Sequence, residues 1–238
     1  MISIITPVLN GEAFIEKNIL SISQLKLPYE HIIVDGGSTD NTVGIIRKYN
    51  HIKLINQEAN NGMYDAIRIG FESSKYDYIT YVNCDDQIFA NNFSIALKDA
   101  LINNVDFGYG NSIIYKNISN TKLLHISNIY SKYFLLNGIM PFVQPASFYK
   151  KELFFKVSKR FSNYKYCGDI VLFSDMARVK NTLFKKYNYT LAEFLIYGDS
   201  LGDKNTLEHK AELINSGLLS NKLSSYIFKI LFKITSKC

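Results

Sequence analysis

The 238-residue chain lacks the features that mark secreted, zinc-binding and membrane-spanning proteins. Its three cysteines, Cys84, Cys167 and Cys238, are odd in number and have no CxxC spacing, which argues against a disulfide framework and against a zinc knuckle. We therefore predict free thiols. The apolar stretch 1–8 lacks a basic n-region, and no run reaches the roughly 20 apolar residues of a membrane-spanning helix. These absences lead us to expect a cytoplasmic protein.

Acidic residues are absent after Glu212, and this absence accounts for most of the formal charge of +6. Four of the six net positive charges come from the final segment, at Lys222, Lys229, Lys233 and Lys237. The rest of the chain is close to neutral. It has no basic stripe interleaved with aromatic side chains, which is the pattern of nucleic-acid-binding modules. We expect no nucleic-acid partner.

Two glycine-rich phosphate-binding signatures are also missing. The segment after the first predicted strand reads TPVLNGEAF, which contains no GxGxxG fingerprint, and no GxxxxGK[ST] loop occurs in the chain. These absences argue against a dinucleotide-dependent dehydrogenase and against a P-loop enzyme. A nucleotide bound by this protein would need its phosphates neutralised in another way.

The first hundred residues alternate β-rich runs with helical patterns. The runs ISIITPV, HIIVD, IKLIN and YDYITYVNC are separated by helical segments at 11–24, 40–49 and 62–74. This alternation predicts an α/β fold with a mixed, mainly parallel sheet flanked by helices. Shorter strand-like pieces follow (VDFGYG, SIIY, ASFYK and AEFLIYG), with helical patterns near 150–157 and 168–180. Because no Pro/Gly/Ser-rich linker intervenes, we predict one domain over residues 1–216.

Polar or turn-forming residues follow each predicted strand, at the sheet edge where ligands of α/β proteins collect. They include Thr6-Pro7 and Asp35, which precedes Gly36-Gly37. A carboxylate at a strand end can accept hydrogen bonds from a base or a ribose, and the glycines let a ligand approach the backbone. For the following Ser-Thr-Asp, a plain strand–turn–helix connection is an equally good interpretation.

Asp85 and Asp86 place two like charges side by side after the strand that includes Tyr81. At roughly 4 Å, two unit charges in a partly wet cleft repel by about 1 to 4 kcal/mol, so the pair is unfavourable without a cation. Carboxylate oxygens favour Mg²⁺ or Mn²⁺ over zinc. Successive side chains of an extended chain point in opposite directions, so the two aspartates are not expected to bind one ion equally. We predict Asp86 as the metal ligand and Asp85 as a contact to a bound sugar nucleotide. An exposed Asp-Asp turn is the alternative.

Two further stretches contain candidate site residues. In NNGMYDAI, Tyr64 and Asp65 lie in the first turn of a predicted helix, where they could face the crevice; alternatively, Tyr64 packs in the core and Asp65 interacts with the helix dipole. In YCGDIVLFSDM, Asp169 opens an apolar helical pattern. It is a candidate general base, with helix capping as the alternative.

These motifs together resemble family 2 glycosyltransferases of the GT-A fold, in the branch that assembles bacterial surface polysaccharides. The resemblance covers residues 1 to about 180 and rests on four stretches: ISIITPVLNGEAFIEKNILSI, IIVDGGSTDNT, NQEANNGMYDAIRIGFESSKYDYITYVNCDD and MPFVQPASFYKKELF. It implies a nucleotide-sugar-binding half at 1–104 and an acceptor half at 105–216. It also implies a hexosyl- or N-acetylhexosaminyltransferase that uses a nucleotide sugar, with UDP as the expected nucleotide.

The resemblance also assigns roles to residues of this chain. Asp86 corresponds to the Mn²⁺ or Mg²⁺ ligand and Asp85 to a ribose or donor contact. Asp169 corresponds to the general base of the inverting members. Further donor-pocket residues are implied at Thr6, Pro7, Asp35, Tyr64 and Asp65. The expected acceptor is a glycan carried on a polyprenyl diphosphate.

Three departures from the family pattern leave other functions open. Gly36 replaces a frequent second acid, Val171 replaces an acid beyond the base, and Gln144-Pro145 replaces a frequent His-Gln pair. A catalytically inactive nucleotide-sugar-binding subunit is therefore one alternative. A sugar-1-phosphate nucleotidyltransferase is another, although the loop after the first strand lacks the basic, glycine-rich character that such an enzyme needs.

The segment 217–238 is predicted to form a basic amphipathic helix. Drawn at 100° per residue, its four lysines share one stripe, opposite a broad apolar arc. Two interpretations fit this pattern. The helix binds an anionic membrane surface, which would place the protein on the cytoplasmic face of the inner membrane, or its apolar arc packs on the protein's own core.

Overall fold

The structure, a computed structural model, describes residues 1–57, 61–197 and 206–218. Its strands are β1 (Ile2–Val8), β2 (Tyr29–Asp35), β3 (Ile52–Asn56), β4 (Tyr78–Tyr81), β5 (Gln87–Ile88), β6 (Phe107–Lys116), β7 (Thr121–His125), β8 (Ser147–Lys150) and β9 (Phe184–Ile196). Its α-helices are α1 (Ile15–Ser23), α2 (Thr42–Ile46), α3 (Met63–Glu72), α4 (Ala90–Ile102), α5 (Ser131–Leu136), α6 (Lys151–Val157), α7 (Gly168–Arg178) and α8 (Thr206–Asn215). Short 3-10 helices span Gln144–Ala146 and Ser158–Asn163.

The strands of the described residues form one sheet in the order β3-β2-β1-β4-β8-β6-β9-β5, with β7 paired to β6. The first four strands in this order pair in parallel, and β6 is parallel to β9. β8 is antiparallel to β4 and β6, β7 is antiparallel to β6, and β5 is antiparallel to β9. This topology confirms the predicted α/β fold with a mixed, mainly parallel sheet. The strands after residue 104 extend the sheet that the first half begins.

Helices cover both faces of the sheet because its central strands are apolar on both sides. All seven residues of β1 are buried, as expected for a parallel strand between two helical layers. Ile5, Val34 and Tyr81 face one core, which α3, α5, α6 and α7 complete. Ile4 and Val82 face the other, which α1 and α4 cover. The carboxyl edge of the sheet is therefore held between two packed layers.

Two of the predicted free thiols are found in the structure. Cys84 and Cys167 are free, whereas Cys238 lies outside the described residues. Residues 219–238 of the predicted amphipathic helix also lie outside them. Within the described ranges, the helices are all too short or too polar to cross a bilayer.

Candidate functional site

The loops that follow β1, β2 and β4 lie side by side at one edge of the sheet. Val8 pairs with Asp35 and Ile5 pairs with Tyr81, so the carboxyl ends of these parallel strands meet. Ligands of α/β sheets collect at this edge. The structure thus brings Asp35 to the same edge as the segment that leads from Tyr81 to the aspartate pair.

Side chains tie the loop after β1 to the loop after β2. The Asn10 side-chain oxygen accepts a hydrogen bond from the Thr39 N–H at 2.8 Å, and the Asn10 N–H donates to Ser38 Oγ at 2.8 Å. The Gly11 N–H donates to Thr42 Oγ1 at 2.8 Å. Because these amides already have partners within the protein, they do not form an open cradle for phosphate oxygens.

Asp35 shapes the turn that follows β2. Its carboxylate is 4% exposed and accepts hydrogen bonds from the N–H groups of Gly37 and Ser38, each at 3.1 Å. The Ser38 hydroxyl also donates to it, at 2.5 Å. Such local bonds from an aspartate to the backbone fix a turn. The contact of Asp35 with a base or ribose stays a prediction.

Thr6 and Pro7 lie within the sheet, behind its edge, and both are buried. The Thr6 hydroxyl lies 2.9 Å from His31 Nε2 and 3.2 Å from Asn18 Oδ1. Burial, together with the charge of His51, lowers the pKa of His31 to about 3, so its imidazole is neutral at physiological pH. Thr6 therefore belongs to a buried polar cluster, and its contact with a nucleoside stays a prediction, as does that of Pro7.

Asn18 of α1 braces the turn that contains the aspartate pair. Its side chain is fully buried, and its Nδ2 donates to the carbonyl oxygens of Asn83 and Asp86, both at 2.9 Å. Within the turn, the Asp86 N–H donates to the Asn83 carbonyl at 3.0 Å. From the far side, the Leu195 N–H of β9 donates to Asp86 Oδ1 at 3.1 Å. The backbone and one carboxylate oxygen of Asp86 are thus fixed by two elements distant in sequence.

The surroundings of the second carboxylate oxygen of Asp86 are unfavourable for a negative charge. Asp86 is 1% exposed, and its Oδ2 has no hydrogen-bond partner among the residues that the structure describes. Burial and the charge of Asp85 raise the pKa of Asp86 well above its ordinary value, and burial also raises the pKa of Asp85. An unpaired buried carboxylate is costly unless a cation compensates it.

A hard divalent cation fits this aspartate pair. No three His, Cys, Asp or Glu side chains converge on one point within the described ranges, so a cation bound at this pair would have no third such ligand from those residues. Mg²⁺ and Mn²⁺ commonly bind to one or two carboxylates and complete their coordination with water and substrate phosphates. The unpartnered Asp86 Oδ2 and the adjacent charge of Asp85 are the two features that match such an ion.

Asp65 is engaged in an ion pair in the first turn of α3. Its Oδ1 accepts hydrogen bonds from Arg68 Nε at 3.0 Å and Nη2 at 2.7 Å, and its Oδ2 accepts one from Gln57 Nε2 at 3.0 Å. The carboxylate therefore links the end of β3 to α3. A donor-binding role for Asp65 stays a prediction.

Tyr64 packs in the core, and its hydroxyl reaches α7. The residue is 4% exposed, and its ring centroid lies 4.9 Å from that of Phe161. A Cβ on residue 168 would lie 2.8 Å from the Tyr64 ring, so α7 can begin this close to the ring only with glycine at position 168. The Tyr64 hydroxyl lies 3.3 Å from the Tyr166 carbonyl oxygen and 3.4 Å from Asp169 Oδ1. A direct contact between Tyr64 and a donor stays a prediction.

Asp169 lies in the first turn of α7, half-buried beside the Tyr64 hydroxyl. Its Oδ1 accepts a hydrogen bond from the Ile170 N–H at 2.8 Å. Burial raises the pKa of Asp169, against the Ile170 N–H, the charge of His209 and the Tyr64 hydroxyl, which lower it. A carboxylate with a raised pKa is a stronger base than an exposed one and is suited to accept a proton.

One buried phenol is influenced by both candidate carboxylates. Burial and then the charge of Asp169 raise the pKa of Tyr81, and Asp86 makes a smaller contribution in the same direction. Tyr81 ends β4 and is 1% exposed. Asp169 and Asp86 therefore both lie within electrostatic reach of the end of β4, although 82 positions separate them in the sequence.

Three residues near these carboxylates were not identified from the sequence. Asn18 occupies a position of the buried α1 face that otherwise holds isoleucines, and a lone polar residue there was a detectable signal. His209 and Glu212 belong to α8, which follows the stretch that carries the resemblance. Their contacts with the region around Asp169 have no signature in the sequence.

Curated relatives match a limited part of the chain. An uncharacterised glycosyltransferase of Haemophilus influenzae is 36% identical over 116 residues, which are 47% of this chain and 46% of that protein. The UDP-Glc:alpha-D-GlcNAc-diphosphoundecaprenol beta-1,3-glucosyltransferase WfgD of Escherichia coli is 30% identical over 122 residues, which are 50% of this chain and 48% of that protein. The chain thus spans about half the length of these relatives.

Solved structures share the fold over a larger part of the chain. S. aureus TarS 1–349 superposes with a TM-score of 0.68 at 17% identity, covering 82% of this chain and 60% of that one. The mannosyltransferase PcManGT of Pyrobaculum calidifontis, solved with GDP-Man and Mn²⁺, gives a TM-score of 0.66 at 14% identity and covers 93% of this chain and 65% of that one. At these identities the likeness concerns the fold.

The family model covers the strands and loops of the candidate site up to the 3-10 helix before α7. The model of glycosyl transferase family 2 matches residues 3–160, which include Asp35, Asp65 and the Asp85-Asp86 pair. With this match over more than half of its length, the chain belongs to glycosyl transferase family 2.

Proposed function

We propose that the protein is a metal-dependent, inverting glycosyltransferase. It moves a hexosyl or N-acetylhexosaminyl group from a UDP-linked donor to a hydroxyl of a growing surface polysaccharide. The observation that carries the proposal is the buried Asp86 carboxylate, whose Oδ2 has no hydrogen-bond partner among the described residues, in a chain of glycosyl transferase family 2. Asp86 would hold the cation that stabilises the leaving group, and Asp169 would accept the proton of the attacking hydroxyl.

Donor recognition is assigned to the sheet edge. Asp35 and Asp85 contact the nucleoside, and Asp65 at the start of α3 contacts the sugar nucleotide. Thr6, Pro7 and Tyr64 support this pocket from the buried side, in keeping with their low exposure. The name of the relative WfgD, which includes UDP-Glc, supports UDP as the nucleotide.

The proposed metal requirement is supported by the engagement of backbone amides that could otherwise bind the diphosphate. Backbone amides in the loops after β1 and β2 are already hydrogen-bonded to side chains. Asp86 would hold Mn²⁺ or Mg²⁺, and the adjacent Asp85 would contact the donor. When bound, such an ion stabilises the negative charge of the departing diphosphate. The Mn²⁺ in the PcManGT structure supports this choice of ion.

Asp169 acts as the general base. Its carboxylate accepts the proton of the acceptor hydroxyl while the hydroxyl oxygen bonds to the anomeric carbon. The bond to the nucleoside diphosphate breaks on the opposite face, so the anomeric configuration inverts. The raised pKa of Asp169 supports this role because it brings the base closer to the pH at which the enzyme works.

The proposed acceptor class is that of the relative WfgD. WfgD acts on a diphosphoundecaprenol-linked sugar, and we extend this acceptor class, a glycan on a polyprenyl diphosphate, to the present chain. Such an acceptor lies in a membrane. Attachment of the basic segment 217–238 to the cytoplasmic face of the inner membrane would bring the enzyme to it.

A thermal-shift screen tests the donor and the metal together. The protein is heated with UDP-glucose, UDP-N-acetylglucosamine or GDP-mannose, each with Mn²⁺ and with EDTA. A ligand at a hundredfold excess over its Kd stabilises by about 2.7 kcal/mol, and each kcal/mol raises the Tm by about 2–4 °C in a protein of this size. We expect a UDP sugar to raise the Tm by several degrees with Mn²⁺ and much less with EDTA.

Two variants assign the effect to the aspartate pair. Asp86→Ala should remove the Mn²⁺-dependent shift, whereas Asp77→Ala, which changes an exposed aspartate, should retain it. Asp85→Ala should reduce the shift but leave it dependent on Mn²⁺. An equal shift in EDTA, or an unchanged shift in Asp86→Ala, would refute the assigned metal site.

A further inference from the structure

Helix α8 contacts the loop that precedes α7 through a single carboxylate. Glu212 Oε1 accepts a hydrogen bond from the Lys165 N–H at 2.7 Å. Its Oε2 accepts hydrogen bonds from the N–H groups of Tyr166 at 2.7 Å and Cys167 at 2.9 Å. Three consecutive backbone donors therefore converge on one side chain that lies 45 or more positions away in sequence.

The end of α8 is tied to α7 at a second point. Arg160 forms a bidentate ion pair with Asp175 of α7, at 2.8 Å and 3.0 Å. Its Nη1 also donates to the Ser216 carbonyl oxygen at 3.1 Å. Leu218 then continues into the core and is 5% exposed. These contacts hold α8 in one orientation against α7, so that Glu212 is a fixed acceptor.

The loop that Glu212 binds leads directly into Asp169. Gly168 and Asp169 follow Cys167, and the Tyr64 ring packs on Gly168 from the opposite side. The residue before α7, Cys167, makes no side-chain cap in the described structure. The start of α7 is therefore held from outside, by Tyr64 of α3 on one side and by Glu212 of α8 on the other.

The charge state of Glu212 suits this contact. Partial burial alone would raise its pKa, but the three backbone N–H donors lower the pKa of Glu212 below its ordinary value. The side chain is thus ionised at physiological pH. Hydrogen bonds to a charged acceptor are stronger than those between neutral groups, so the loop is held more tightly than by a neutral cap.

We propose that Glu212 is a positioning residue for Asp169: it holds residues 165–167 so that the Asp169 carboxylate stays half-buried beside Tyr64. The inference rests on the proposed function, since it gives Glu212 an effect on transfer only through the base. Among the described residues, the titratable groups that face Asp169 are Tyr64 on α3, Tyr81 on β4, Tyr149 on β8, His209 on α8 and Cys167 directly before α7.

The test compares Glu212→Ala and Glu212→Gln with Glu208→Ala, an exposed glutamate one turn away on the same helix. Hydrolytic release of UDP from UDP-glucose and UDP-N-acetylglucosamine is measured with Mn²⁺ at temperatures below each Tm; water replaces the acceptor hydroxyl, attacks the anomeric carbon and gives its proton to Asp169. We expect Glu212→Ala to lower kcat at least tenfold while the donor KM stays within twofold. Glu212→Gln keeps one acceptor oxygen and should give a smaller loss.

A readout without substrate separates positioning from general destabilisation. The pKa of the Asp169 carboxyl is measured by NMR titration of protein labelled with ¹³C at aspartate. Loss of the Glu212 contact should expose Asp169 to water and move its pKa down toward the ordinary value. Amide hydrogen exchange at residues 165–167 should become faster. Glu208→Ala should change neither.

The outcomes distinguish this inference from the proposed base. If Asp169→Asn abolishes UDP release but Glu212→Ala leaves kcat and the Asp169 pKa unchanged, Glu212 has no positioning role and the base assignment stands. A lower Tm without either change leads to the same conclusion. If Asp169→Asn retains full activity, both the base and the positioning role are refuted.

Discussion

At the scale of single residues, Asp86 makes the metal-free protein less stable than a neutral side chain would. Its carboxylate is buried, one oxygen lacks a partner among the described residues, and Asp85 adds a like charge. The folded protein therefore holds the Asp86 proton more tightly than the unfolded chain does. As pH rises above the ordinary aspartate pKa of about 3.9, the unfolded state ionises first and becomes favoured.

Asp86→Asn should consequently stabilise the protein in EDTA at pH 7. The amide keeps an oxygen that can accept from the Leu195 N–H but removes the buried charge. We expect a Tm several degrees higher than wild type, with about 2–4 °C for each kcal/mol gained. The difference should shrink as pH falls and disappear below about pH 3, where Asp86 is protonated in both states. Thermal unfolding between pH 3 and pH 8 measures it.

A matched variant isolates burial as the cause. Asp77→Asn makes the same change at an exposed position and should leave the Tm within about 2 °C of wild type at every pH, since surface substitutions usually change stability by less than about 0.5 kcal/mol. A lower Tm for Asp86→Asn in EDTA at pH 7 would contradict the argument.

Residue types at strand ends could be read from the sequence, but their partners could not. The positions of Asp35 and Asp86 follow from where apolar strands stop. The three hydrogen bonds that Asp35 accepts from its own turn depend on the path of residues 36–38. The hydrogen bond from Leu195 to Asp86 depends on a strand that lies over 100 positions later. Such contacts are set by tertiary structure.

At the scale of elements, α1 supports the turn that contains Asp85 and Asp86 from behind. Asn18 donates to two carbonyl oxygens of that turn, and its own side-chain oxygen lies 3.2 Å from the Thr6 hydroxyl of β1. A helix that otherwise presents isoleucines to the core thus fixes a polar turn through one amide. The turn depends on α1 for its shape.

Asn18→Ala should both destabilise the protein and weaken donor binding. Each of the two buried acceptors left without a partner costs about 1–3 kcal/mol, so we expect the free energy of unfolding to fall by about 2–6 kcal/mol. The Mn²⁺-dependent thermal shift with a UDP sugar should also decrease, because the Asp86 backbone loses its support. Urea unfolding and the thermal-shift assay measure the two effects.

Asn91→Ala is the control for this change. Asn91 is exposed on α4, so its replacement should change the free energy of unfolding by less than about 0.5 kcal/mol and leave the thermal shift intact. An Asn18→Ala protein with wild-type stability and donor response would show that the turn holds its shape without α1.

Elements of the first half were predictable to within a few residues, whereas β6 was not. The sequence suggests two pieces, VDFGYG and SIIY, and the structure joins them in one strand, Phe107–Lys116. The pairing of β6 with β9 shifts register on both sides of Asn111. A Cβ on Gly110 would lie 2.6 Å from Leu191 Cγ, so this glycine permits a close approach of β9 instead of ending the strand. That role depends on a neighbour that sequence reading does not supply.

At the scale of the whole molecule, the positive charge is concentrated after Glu212. Beyond the described residues, Lys222, Lys229, Lys233 and Lys237 account for four of the six net charges. A basic residue near an anionic membrane contributes about 1 kcal/mol to binding. If the proposed membrane attachment is right, these four lysines dominate it.

Replacing these four lysines by glutamine in the full chain should weaken sedimentation with phosphatidylglycerol vesicles at least tenfold. The control replaces four exposed lysines of the described part by glutamine, at Lys48, Lys98, Lys116 and Lys159. This control has the same net charge but should bind like wild type. Equal binding by both variants would favour the alternative in which the apolar arc packs on the protein's own core.

The hydrogen bond between the Leu195 N–H and Asp86 has a consequence for biosynthesis. It joins positions 109 residues apart, so Asp86 is translated long before its partner. At about 5–20 residues per second, a ribosome needs at least several seconds to cover that distance. Throughout this interval the first half of the chain exists without the strand that fixes the Asp86 carboxylate. The proposed affinity for a nucleotide sugar should therefore appear only after β9 has been synthesised and has paired.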